Sequence, residues 1–111
     1  MNKISIGVIG AGKWGQALHY ALSQNQETYI TSRTPRDIKN FVSLDKVLEC
    51  EYLIIAIPAQ QIRSWLQENF VFKNQKILVA SKGIEASSSQ FLNEIYAQFV
   101  PDSNIGFISG P

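Results

Sequence analysis

The stretch Ile4-Ser5-Ile6-Gly7-Val8-Ile9-Gly10-Ala11-Gly12-Lys13-Trp14-Gly15 decides the fold. A short β-branched run over 4–9 predicts a buried strand, and it feeds directly into Gly10, Gly12 and Gly15, spaced G-x-G-x-x-G. In that setting each glycine has a physical task. Gly10 allows a tight turn out of the strand. Gly12, lacking a Cβ, lets a pyrophosphate approach the backbone. Gly15 lets the next helix pack closely on the sheet. The free N–H groups and positive dipole of that helix start then face the phosphates. The motif alone is weak. Its position after an apolar strand and before a helix-patterned stretch gives it meaning.

Outward from the turn, strands and helices alternate, which predicts an α/β fold with a mostly parallel sheet. A helix is expected over 13–23, with Ala17, Leu18, Ala21 and Leu22 on its buried face. A strand follows over 28–32. Pro35 opens a short helix to about residue 40, Phe41-Val42 forms a vestigial strand, and Ser43 caps a helix to about residue 49. The run YLIIAI over 52–57, stopped by Pro58, reads as a central strand covered on both faces. Ile62, Trp65 and Leu66 mark the inner face of the next helix. KILVA over 76–80 is another buried strand. Residues 81–85 read as a loop, and Ser87 with Gln90 as a capping box for a helix burying Phe91, Leu92, Ile95 and Phe99. Pro101 ends that helix, and a last strand is expected over 104–108.

In order of appearance, these strands suit the arrangement 3-2-1-4-5-6, a Rossmann-type doubly wound sheet with helices on both faces. Residues 1–111 form one dinucleotide-binding domain. The loops after the strands would converge on one crevice, gathering Lys13-Trp14, Arg33, Pro58-Ala59, Lys82 and Gly110.

Composition narrows the function. The chain has 111 residues, 45% hydrophobic and 17% charged, with a formal net charge of +1. No basic cluster points to nucleic acid, and no apolar stretch is long enough to span a membrane. The start has no signal-peptide shape, so a cytoplasmic location is expected. Cys50 is the single cysteine and reads as a reduced thiol. The sole histidine, His19, reads as structural or surface. No cluster suggests a metal. At the end of the second strand, where an acid would hold the ribose 2′-hydroxyl of NADH, stands Ser32-Arg33-Thr34-Pro35-Arg36. A guanidinium pairs with a 2′-phosphate that a carboxylate would repel. NADPH is therefore favoured as cofactor over NADH, with Arg33 the first contact and Arg36 the second.

The motifs GAGKWGQAL (10–18), IIAIPAQQIR (54–63), SKGIE (81–85) and SGP (109–111), in this order, resemble the N-terminal domain of NAD(P)-dependent glycerol-3-phosphate dehydrogenase of the bacterial type. The resemblance runs the whole chain, and its last three motifs together are specific. It implies that Gly10, Gly12, Lys13, Trp14, Gly15, Arg33, Pro58 and Lys82 hold the cofactor. Lys82 and Gly110 would also meet the substrate. Lys13 and Ala59 stand where the family commonly has serine, so a backbone contact at Lys13 is expected, and no hydroxyl is available at Ala59.

By the same resemblance, the full-length enzyme interconverts dihydroxyacetone phosphate and sn-glycerol 3-phosphate in phospholipid precursor synthesis. Its general-base lysine lies in a helical C-terminal domain outside this chain, so no catalytic base is assigned here. The domain alone would bind cofactor weakly and turn nothing over. Apolar surface near Gly110, which normally meets the second domain, would favour a homodimer or crystal contacts unrelated to the full-length assembly. Two other readings stand beside this one. One is the cofactor domain of a 6-phosphogluconate, ketopantoate or pyrroline-5-carboxylate type reductase, and the other is a non-catalytic nucleotide sensor.

Overall fold

The computed structural model describes residues 5–80, 84–85 and 90–107. Its centre is a five-stranded parallel sheet. The strands are β1 (Ile6–Ile9), β2 (Thr28–Thr31), β3 (Tyr52–Ile55), β4 (Lys76–Val79) and β7 (Ile105–Phe107), in the order β2-β1-β3-β4-β7. Phe41 adds a single parallel bridge to Ile30 on the outer side of β2. The expected strand order is therefore present, its third member reduced to one residue. The strands end flush: Ile9 stands level with Thr31 and Ile55, Ile55 with Val79, and Val79 with Phe107.

Alternation along the strands sends side chains to two buried faces. Ile9, Leu53, Ile55, Ile77 and Val79 join one cluster with Val47, Ile62, Leu66 and Ile95. Val8, Ile30 and Ile54 join the other, with Ala11 and Ala80, against which Trp14, Leu18 and Leu22 pack. Helix α1 (Lys13–Ser23) thus covers one face. Helices α2 (Leu44–Leu48) and α3 (Ile62–Asn69) cover the other. Ser43 caps α2 as expected, accepting from the Lys46 amide at 3.4 Å.

Several local expectations are corrected. Residues 35–40 are not helical. The Ile30 amide donates to the Asn40 carbonyl (3.2 Å) and the Val42 amide to the Ile30 carbonyl (2.9 Å). Pairing with the open edge of β2 thus wins over the helix start that Pro35 offered. Asn40 takes a positive φ of 63° to enter this alignment. On α1 the buried residues are Gly15 and His19, with Leu18 and Leu22 half-buried, whereas Ala17 and Ala21 are exposed. His19 is structural: its Nε2 lies 2.8 Å from the Thr28 carbonyl oxygen. The stretch read as a loop holds β5 (Ile84–Glu85), which pairs antiparallel with β6 (Gln90–Phe91). Gln90 is engaged in that ladder, so the expected helix begins later, as α4 (Leu92–Tyr96). Ser87 lies outside the described residues. Ile95 is buried and Phe99 half-buried, as expected.

Two buried polar groups carry nothing at the site. Cys50 is a buried free thiol beside β1, its pKa raised chiefly by burial. The Tyr96 hydroxyl is fully buried with no hydrogen-bond partner among the described residues, and burial raises its pKa.

Candidate functional site

The loops leaving the flush strand ends enclose a cleft of about 1560 Å³. It is roomier than a typical small-molecule pocket of roughly 300–1,000 Å³, as a dinucleotide requires. Gly10, Gly12, Lys13, Trp14, Gly15, Arg33 and Pro58 all line it, together with Arg36 and Ala59. Of the residues singled out from sequence, Lys82 and Gly110 lie outside the described residues.

The three glycines of the turn differ in kind. Gly10 has φ +110°, and a Cβ there would stand 2.5 Å from the Ala56 carbonyl oxygen. Its amide also donates to the Thr31 carbonyl over 2.9 Å, tying the turn to the end of β2. A Cβ on Gly15 would overlap the Gly10 carbonyl oxygen. These two glycines are demanded by the fold. Gly12 is not. It has ordinary extended backbone (φ −76°, ψ −173°), and nothing lies within 4 Å of where its Cβ would be. That open side belongs to the wall of the cleft.

Gly12 is also the N-cap of α1. No side chain caps this helix and its first turn holds no acid. The first intrahelical bond runs from the Gln16 amide to the Gly12 carbonyl (2.9 Å). The amides of Lys13, Trp14 and Gly15 therefore precede the helical ladder, at the positive end of the dipole. An anion seated over Gly12 would meet them.

Trp14 has a role that its sequence position did not reveal. Its indole Nε1–H donates to the Ala80 carbonyl over 2.7 Å, bracing the glycine turn against the end of β4. On the other flank, Ser32 Oγ donates to the Thr34 carbonyl over 2.5 Å and shapes the loop that carries Arg33. Arg33 and Arg36 are exposed. Pro58 (φ −57°) leads a 3₁₀ turn over Ala59–Gln61 that starts α3.

Sequence reasoning missed the apolar half of the lining. Phe41, Val42, Leu44, Ile57 and Trp65 are half-buried and all border the cleft. Trp65 was expected on the inner face of its helix, and it does pack against the core, but it also reaches the cleft. Among the described residues no group of histidine, cysteine or carboxylate side chains is placed to hold a metal, and no helix is long and apolar enough to cross a membrane.

Comparison with known proteins agrees with this geometry. Residues 23–111 match the family described as NAD-dependent glycerol-3-phosphate dehydrogenase N-terminus. A glycerol-3-phosphate dehydrogenase [NAD(P)+] of Sulfurimonas denitrificans is 66% identical over 106 residues, which is 96% of this chain and 36% of that protein. One from Campylobacter jejuni (serotype O:6) is 57% identical over the same coverage. The chain thus spans about a third of the length of these relatives. Among solved structures, glycerol-3-phosphate dehydrogenase from Coxiella burnetii superposes with a TM-score of 0.71 at 20% identity, over 98% of this chain and 41% of that one. Ketopantoate reductase from Staphylococcus aureus gives 0.55 at 19% identity, over 72% of this chain and 34% of that one. The two structures share the fold. The sequence relatives carry the family, and the chain belongs to the NAD-dependent glycerol-3-phosphate dehydrogenases, as their N-terminal domain.

Proposed function

We propose that this chain is the cofactor-holding part of an enzyme that interconverts dihydroxyacetone phosphate and sn-glycerol 3-phosphate. The observation that carries the reading is Gly12. Neither its backbone angles nor its packing calls for glycine. Its missing side chain makes sense once a pyrophosphate lies against it, over the uncapped amides of α1.

When bound, the nicotinamide supplies a hydride to the ketone carbon or accepts one from the secondary alcohol. The residues of this chain bind and orient. Gly12 admits the pyrophosphate to the backbone, and the amides of Lys13, Trp14 and Gly15 donate to it. Pro58 and Ala59 border the same cleft and bound it on the β3 side. Lys82 follows Ala80, whose carbonyl is held by Trp14. An ammonium there would hold substrate oxygens and favour negative charge developing on the ketone oxygen. Gly110 would offer a backbone contact to the same substrate. The proton given to the alkoxide on reduction, and taken from the alcohol on oxidation, would be handled by a lysine in the remainder of the enzyme, as its ammonium in the first direction and its neutral amine in the second.

Arg33, exposed at the end of β2 where no acid stands, supports NADPH over NADH. The uncapped α1 amides and the open side of Gly12 suit the pyrophosphate that both nucleotides share. The test uses the full-length protein with dihydroxyacetone phosphate and NADPH. Equimolar loss of NADPH and gain of sn-glycerol 3-phosphate is expected. Binding of NADPH without turnover would overturn the substrate, and failure of both nucleotides to bind would overturn the reading itself.

A further inference from the structure

The chain has two tryptophans, and both line the cleft. They stand on opposite faces of the sheet. Trp14 packs with Leu18 and Leu22 against the cluster that holds Val8, Ile54 and Ala80. Trp65 packs with Val42 and Ile57 against the cluster that holds Val47, Ile62 and Leu66. The cleft therefore straddles the carboxyl edge of the sheet and has one indole on each side of it.

The two indoles are not equivalent. Trp14 spends its N–H on the Ala80 carbonyl, so it is held at the β4 side. Trp65 lies on α3, on the face shared with α2. There Val42, Leu44, Ile57 and Trp65, all half-buried, give the cleft its apolar surface, and the other residues of the α3 side that line it, Gln61, Ser64, Glu68 and Asn69, are polar. Along the chain, Val42 and Leu44 follow the Arg33 loop, and the Val42 amide is bonded to Ile30 of β2 (2.9 Å). Trp65 thus shares its pocket wall with residues fixed to the β2 edge, the edge that carries Arg33. Only the adenosine ribose of a dinucleotide bears the 2′-phosphate that Arg33 suits. The base beside that ribose is a purine, which gains most from a flat apolar wall.

Resting on the dinucleotide reading above, we propose that Trp65 is the purine-stacking wall of the cleft and that it sets the affinity of the adenosine end. Its helix is anchored on both sides of it. Ile62 and Leu66 on either side of it are buried, and the Asn69 side-chain amide donates to the Trp65 carbonyl over 3.2 Å.

The experiment compares Trp65→Phe and Trp65→Leu in the full-length enzyme by calorimetry. The ligands are NADPH, adenosine 2′,5′-bisphosphate and nicotinamide mononucleotide. Leucine keeps apolar bulk and loses the flat face. Trp65→Leu should weaken NADPH and the bisphosphate by the same factor, about tenfold, and leave the mononucleotide unchanged. Trp65→Phe should stay within about threefold of the parent. In kinetics, the KM for NADPH should rise with kcat unchanged. Thermal melts keep a folding defect separate, and Trp65→Phe carries the test if Trp65→Leu does not fold: quenching of the Trp65 fluorescence by the bisphosphate in the parent must then vanish in Trp65→Phe. Equal bisphosphate affinity in parent and Trp65→Leu, or unchanged quenching in Trp65→Phe, overturns the proposal. If the parent binds neither NADPH nor NADH, the dinucleotide reading falls first.

Discussion

The indole N–H of Trp14 and the carbonyl oxygen of Ala80, 66 residues apart in the chain, are joined at 2.7 Å. This bond closes a strut from the start of α1 to the end of β4, across the sheet edge where the cleft opens. Trp14→Phe keeps the ring and removes the donor, leaving a partly buried carbonyl unpaired. The expected loss is about 1–2 kcal/mol. It should appear as a lower urea midpoint at unchanged slope. An unchanged midpoint would show that the bond contributes nothing.

Gly12 and Gly15 separate binding from folding. Gly15→Ala would drive a methyl into the Gly10 carbonyl and should cost about 3 kcal/mol or more, because backbone has to move. Gly12→Ala meets no atom of the protein. Its stability should stay within about 0.5 kcal/mol of the parent. Its affinity for NADPH should nonetheless fall at least tenfold in an equilibrium titration. Undiminished binding by Gly12→Ala would remove the main support for a pyrophosphate at this turn.

Arg33→Ala tests the choice of nucleotide. A charge-assisted bond to a 2′-phosphate contributes about 1.5–3 kcal/mol. NADPH affinity should therefore drop roughly ten- to a hundredfold, while NADH changes little. High salt should narrow the gap, since Arg33 is exposed. Equal losses for both nucleotides would mean that Arg33 stacks on the base and does not read the phosphate.

Cys50 makes stability depend on alkaline pH. Burial, the largest cause, raises its pKa, and a hydrogen bond with Ser5 opposes the shift only in part. The unfolded thiol ionises first, near pH 8.5. Between that pH and the higher folded value, the unfolded state binds fewer protons, so stability falls as pH rises. Below about pH 8.5 the contribution is fully present. Denaturation curves from pH 7 to 10 should show this decline in the parent and a shallower one in Cys50→Ala. The native thiol should resist a disulfide reagent at pH 8 and react on unfolding.

Much of this was legible from the chain. Residues 52–55 are apolar without a break, and the structure buries Leu53, Ile54 and Ile55 in succession at the middle of the sheet. The glycine spacing placed the turn, and the helix after it has the expected ends, Lys13 and Ser23. The failures have one physical cause, long-range pairing that no local pattern records. Pro35 is a good helix starter, yet the segment runs beside Ile30 because the β2 edge has free donors and acceptors. Gln90 fits a capping box, yet it pairs with Glu85. Ala17 and Ala21 continue an apolar period, but His19 takes the buried position because Thr28 offers it a carbonyl. At the site, glycines and charges announced themselves. The apolar wall did not, since Leu44, Ile57 and Trp65 look in sequence like ordinary core residues.

The flush ends of the strands make the sheet a gauge. Each residue of a parallel strand advances the chain about 3.3 Å, and successive side chains change faces. Ile9, Thr31, Ile55 and Val79 share one level, so Gly10 and its counterparts Ser32, Ala56 and Ala80 all leave the sheet from the same rung. A slip of one residue in β1 alone would move the glycine turn by about a full hydrogen-bond length and exchange Val8 with Ile9 between the two cores. Misregistration is thus penalised twice, in packing and in the site, and the tolerance of the turn is set by the register of the strands that lead into it.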